Sequence, residues 1–138
     1  MSKNERYLMQ WYIMVLQRYA EFDGRSRRKE YWMFVLFHFL VSVALNIAGF
    51  AIDMVAAIGA TMILPTLYYL ATLLPAIGVT IRRLHDTNRS GWWLLIALVP
   101  FIGGIILLIL CALEGDHGEN QYGPNPKAEA TGTASQAI

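Results

Sequence analysis

Cysteine occurs once in the 138 residues, as Cys111, which excludes an internal disulfide and leaves the redox compartment unmarked. It lies within an apolar stretch, where a thiolate is disfavoured, so it reads as a small packing residue rather than a reactive thiol. Charge is scarce too. Charged residues make up 15% of the chain against 56% hydrophobic ones, a balance too apolar for an ordinary soluble domain. Three stretches, 31–52, 54–81 and 92–113, contain no Asp, Glu, Lys or Arg over 22, 28 and 22 residues. The first 30 residues carry too much charge for the apolar region of a signal peptide, and the run that follows exceeds the roughly 7–15 residues such a region uses. The first stretch is therefore expected to be retained.

At about 1.5 Å of rise per helical residue, each stretch is long enough to cross a hydrocarbon core of roughly 30 Å. The expected fold is all-α: a polytopic helical membrane protein with three apolar spans, preceded by an amphipathic interfacial helix. Pro100 and the pair Gly103-Gly104 interrupt the third stretch near its middle, which makes it either kinked or re-entrant. Residues 1–126 read as a single membrane domain and 127–138 as a disordered tail, small, polar and without pattern.

The net charge of +1 hides an asymmetry that carries topology. Ten of the eleven Lys and Arg lie before the first span or between the second and third. Arg25, Arg27, Arg28 and Lys29 directly precede the first span, and Arg82, Arg83 and Arg89 lie two crossings later. The positive-inside rule puts both groups, and the N-terminus, in the cytoplasm. The juxtamembrane position already accounts for this charge, so nucleic-acid binding is not expected.

Residues 3–22 read as a helix with a wide apolar face, including Tyr7, Leu8, Trp11, Tyr12, Val15 and Leu16, and a narrow stripe of Lys3, Arg6, Gln10, Gln17 and Glu21. Such a helix suits the membrane interface or the flank of the protein's own spans. Asp53 is the only charge between the first two spans, which predicts a tight antiparallel hairpin. Pro65 and Pro75 should bend the second span. His38, Asn46, Thr61, Thr66, Tyr68, Tyr69 and Thr72 are candidates for hydrogen bonds between helices.

Three polar motifs punctuate these spans. They are Phe22-Asp23-Gly24-Arg25-Ser26-Arg27-Arg28-Lys29-Glu30-Tyr31-Trp32, then Arg82-Arg83-Leu84-His85-Asp86 leading into Arg89-Ser90-Gly91-Trp92-Trp93, then Gly118-Glu119-Asn120-Gln121-Tyr122-Gly123-Pro124-Asn125-Pro126. In that order, around those apolar stretches, they closely resemble the YhaH-like bacterial inner-membrane family, the domain of unknown function numbered 805. The resemblance runs from about Trp11 to Pro126. The family usually has Gly where Asn88 stands, and Asp116-His117 is an individual variant of a looser spacer. The resemblance implies a small polytopic inner-membrane protein and supplies no activity, cofactor or catalytic residue.

The densest polar chemistry comprises Arg25, Arg27, Arg28, Arg82, Arg83, His85, Asp86 and Arg89, all on one side of the membrane. Two readings stay open. The set is a candidate lipid- or anion-binding site, since guanidinium groups suit phosphate headgroups. Alternatively, the arginines anchor helix ends while His85 and Asp86 pair or cap locally. A metal or hydrolase centre drawn from His85, Asp86, Asp116, His117 and Glu119 has no recognised ligand spacing and no nucleophile beside a base. A three-crossing count would also put its last three members across the membrane. No enzyme, metal or cofactor is therefore expected. A homo-oligomeric small-solute transporter or channel is the alternative, although three spans without buried charge make a poor solitary carrier. The reading is an inner-membrane protein acting as a lipid- or partner-interacting envelope module. Its expected partners are membrane lipids and a second copy or another membrane protein.

Overall fold

The computed structural model describes residues 3–130. Its elements, in order, are α1 (Lys3–Gln17), α2 (Arg28–Ala56), α3 (Ala60–Asp86), a 3-10 helix (Gly91–Leu98), α4 (Gly103–Ala112) and the short α5 (Pro126–Ala130). There is no strand among the described residues. Helix α5 occupies the start of the stretch read as a tail, and the remainder, from 131 onward, lies outside the described residues.

Helix α1 stops at Gln17, short of the expected 22. Residues 18–27 leave the helical path and run back over α3, where the Ser26 amide donates to Arg82 O at 3.0 Å. One flank of α1 packs inward: Val15 is fully buried in a core with Tyr31, Phe34, Val79 and Cys111. Tyr7 and Ile13, off that flank, stay exposed, as does Leu8, two turns before Val15 on the same side. The wide apolar face is thus divided between the protein and its surroundings, and Cys111 is a buried packing residue.

Helices α2 and α3 form the expected antiparallel hairpin. Asp53, near the end of α2, accepts from the amides of Ala60 and Thr61 at 2.7 and 2.9 Å, satisfying two of the orphan donors of α3. Gly49 makes the close approach possible, because a Cβ there would lie 2.7 Å from Thr61 Cα. Helix α3 continues unbroken past Pro65 and Pro75.

Of the polar candidates, His38 and Tyr68 do join helices. Tyr68 Oη lies 2.8 Å from Tyr12 Oη and 3.1 Å from His38 Nδ1, a chain tying α1, α3 and α2 together. Asn46, Thr66 and Thr72 instead donate to Ser42 O, Met62 O and Tyr68 O on their own helices. A carbonyl one turn back is already in reach of a short side chain, so the local bond costs no further ordering.

The third apolar stretch is not one continuous helix. It runs out as the 3-10 helix, turns through residues 99–102 and returns as α4. Its start lies against α3, since a Cβ on Gly91 would sit 2.9 Å from Ile81 Cγ2. Its end lies there too: Arg83 Nε donates to Cys111 O at 2.8 Å. Each limb is about 15–16 Å long, half the roughly 30 Å of a hydrocarbon core. Pro100 brings no amide to the turn, and Gly103 permits it, because a Cβ there would lie 1.8 Å from Ile96 O. Of the two readings the sequence left open, the geometry is the hairpin.

Candidate functional site: a polar cap at one end of the helices

Because the third stretch turns back, all three polar motifs meet at one end of the molecule. Gly24, at φ +85°, turns the chain so that Arg25 points inward. The Arg25 guanidinium has five acceptors. Nε donates to Asp86 Oδ1 at 2.9 Å, and the remaining nitrogens reach the carbonyls of Gly118, Gly123, Asp116 and Asp86 at 2.6 to 3.4 Å. Arg83, fully buried, donates to the other Asp86 oxygen, to Ser26 O and to the Cys111 and Leu113 carbonyls. One carboxylate therefore holds two buried arginines, the arrangement that makes buried charge tolerable.

The same arginines resolve the end of α4. Its last carbonyls have no partner within the helix, and they carry the negative end of the helix dipole. Arg83 takes Cys111 O and Leu113 O, while Arg28 Nη1 donates to Ala112 O at 3.2 Å. Arg27 grips Pro126 O with Nε and Nη2 at 3.0 and 2.6 Å, fastening the last motif to the start of α2.

His85 Nδ1 lies 3.0 Å from Gly24 O, and its ring stacks on Tyr122 with centroids 3.9 Å apart and planes 3° from parallel. Asn120 Nδ2 donates to His85 O and to Asp116 Oδ2, both at 3.0 Å, and the Asp116 amide donates to Asp86 O at 2.8 Å. Among the described residues the Arg89 side chain reaches only its own loop, at Thr87 O. Asn88 occupies the left-handed region at φ +57°, a conformation that asparagine tolerates and glycine adopts without strain.

Of the eight residues singled out from the sequence, Arg25, Arg83, His85 and Asp86 form the buried centre, with Arg27 as an outer fastening and Arg28 exposed on the rim, where it reaches Ala112 O. Arg82 points elsewhere. It is fully buried, its Nη2 is 3.6 Å from Glu30 Oε1, and neither terminal nitrogen has a hydrogen-bond partner among the described residues. Arg18 of α1 approaches the same Glu30 oxygen at 3.7 Å. Glu30 and Arg18 escaped the sequence reading, although Glu30 directly follows the run Arg27-Arg28-Lys29 in its basic motif. Of the residues considered for a metal centre, Asp116 meets Asp86 only through its backbone amide, and His117 offers its carbonyl to Asn125. No group of three or more potential ligands is arranged to hold a metal ion among the described residues.

Two clefts border the cap. One, of about 660 Å³, lies between the start of the 3-10 helix and the loops carrying Asp23 and Tyr122. The other, of about 430 Å³, lies beneath α1 between Trp11, Arg18, Arg27 and Glu30.

The motifs that build this cap lie within residues 19–124, apart from the last Pro126 fastening, and that interval matches the family model described as protein of unknown function, DUF805. The chain belongs to the DUF805 family. It is 48% identical to inner membrane protein YhaI of Escherichia coli K12 over 119 residues, covering 86% of this chain and 97% of that protein. It is 45% identical to inner membrane protein YhaH of the same strain over 121 residues, covering 88% and 99%. A more distant relative, the uncharacterised E. coli protein YiiR, is 27% identical over 138 residues. No solved structure matches the chain. YhaI and YhaH are named inner-membrane proteins, and α2 and α3 of this chain are long and apolar enough to cross a membrane.

Proposed function

We propose that this DUF805 chain is an inner-membrane module that holds a rigid basic cap at the cytoplasmic surface, where it meets anionic lipid headgroups or a partner membrane protein. In this reading α2 and α3 cross the bilayer, and the third stretch enters from the cytoplasmic side and leaves by it. Helix α1 lies along that surface. The exposed flanks support a lipid setting: only 11% of the most apolar window of α2 and 28% of that of α3 is buried within the chain, where the core helix of a soluble protein would be mostly covered. The same flanks would accept a second copy or another membrane helix.

The observation that carries the reading is the division of labour among the basic residues. Arg25, Arg82 and Arg83 are buried, and Arg25 and Arg83 are committed to acceptors within the chain. Arg28 and Lys29 remain exposed on the rim, with the Lys29 ammonium 5.5 Å from the centre of the Trp11 ring. The buried arginines fix the platform, and the exposed pair faces the headgroups. No step of this role requires catalysis.

Each basic residue at an anionic surface is worth about 1 kcal/mol, so Arg28→Gln with Lys29→Gln should weaken retention of phosphatidylglycerol by roughly 25-fold. Native mass spectrometry of the purified protein in detergent measures this. Unchanged retention by a folded double variant would overturn the reading.

A further inference from the structure

The 660 Å³ cleft differs in character from the cap around it. Its size is within the roughly 300–1,000 Å³ of small-ligand sites. Ile81, Trp92, Leu94 and Leu95 give it an apolar wall, while Asp23 and His85 stand on its polar side. In a region crowded with arginine, no Lys or Arg lines it among the described residues. The Asp23 carboxylate is exposed and is engaged in no hydrogen bond or ion pair among the described residues.

The histidine adds a second acceptor. Gly24 O can only accept, so the 3.0 Å contact assigns the His85 proton to Nδ1 and makes Nε2 the acceptor nitrogen of the neutral ring. The parallel Tyr122 ring, 3.9 Å away, fixes the imidazole plane. Ser90 Oγ, also on the lining, already accepts from the Trp92 amide at 3.2 Å. The polar side thus brings a carboxylate and an imidazole to the same cleft as the exposed indole of Trp92.

We propose that this cleft binds the headgroup of an aminophospholipid, with its primary ammonium between Asp23 and His85 and the glycerol and first methylenes against Trp92, Leu94 and Leu95. A primary ammonium has three N–H donors for these acceptors, whereas a choline headgroup has none. A phosphatidylglycerol headgroup carries no ammonium to pair with Asp23 or to offset its own phosphate, and no cation lines the cleft among the described residues. The proposal rests on the membrane placement given above but uses a different surface from Arg28 and Lys29.

The test presents equal amounts of phosphatidylethanolamine, phosphatidylcholine and phosphatidylglycerol to the full chain in detergent and counts the bound species by native mass spectrometry. The wild-type protein should retain phosphatidylethanolamine over phosphatidylcholine by about fivefold, the size of one exposed charge-assisted contact. Asp23→Asn should abolish that preference and Asp23→Glu should restore it, each with unchanged circular dichroism. The Arg28→Gln, Lys29→Gln double variant should keep it while losing phosphatidylglycerol, which separates failure of this site from failure of the basic rim. Equal retention of the ethanolamine and choline lipids by the wild type, or an undiminished preference in Asp23→Asn, would overturn the proposal.

Discussion

Arg25 and Asp86, 61 residues apart in the chain, are joined by a buried 2.9 Å bond from Nε to Oδ1. The second oxygen of the same carboxylate holds Arg83. The first two motifs are thereby locked to each other, and through the remaining Arg25 donors to the third.

Removing Asp86 should therefore be far more damaging than removing an exposed acid. Asp86→Asn keeps the shape of the side chain but leaves two buried guanidinium groups without a counter-charge. It should cost about 3–5 kcal/mol, the range for breaking a buried pair from one side. Glu119→Gln, on an exposed residue, should change stability by less than about 0.5 kcal/mol. Thermal unfolding in detergent, followed by circular dichroism, compares the two.

Neighbouring glycines in the turn of the hairpin should respond oppositely to the same substitution. Gly103→Ala drives a methyl group into Ile96 O and should destabilise by about 2–3 kcal/mol or more, since backbone must move. Gly104 has nothing within 4 Å of its Cβ position and lies in α4, so Gly104→Ala should stabilise by about 0.5–1 kcal/mol through helix propensity. The unfolding temperatures of the two variants check both signs.

The hydroxyl chain from Tyr12 through Tyr68 to His38 should govern how firmly α1 is docked. Tyr68→Phe removes both of its bonds and should cost about 1 kcal/mol, in line with hydrogen bonds between membrane helices. Hydrogen exchange of α1 amides should quicken in this variant, while α3 amides near Asp53 should be unaffected.

The long helices were legible because a charge-free run has few other solutions, and the α2–α3 turn was legible from Asp53. The family was legible from its motifs. Three things were not. Helix α1 ends at Gln17 although its apolar period continues, because the following loop must reach Arg82 across the fold. Pro100 and Gly103 permit a kink or a reversal equally well, and the choice depends on Arg83 meeting carbonyls some 28 to 30 residues away. Arg27, Arg28, Arg82 and Arg83 are alike in one dimension. Their separation into fastenings, rim and buried pair exists only once the three motifs have met.

In the proposed topology the third apolar stretch returns to the side it left, so that the motifs before α2 and after α4 share one face of the membrane. The direct measurement places a single cysteine at Ser2 or Ser135 in a Cys111→Ala background and labels spheroplasts with an impermeant maleimide. Both positions should be protected in sealed spheroplasts, and both should react once the membrane is opened. Labelling of Ser135Cys from outside while Ser2Cys stays protected would mean three full crossings and would contradict this topology.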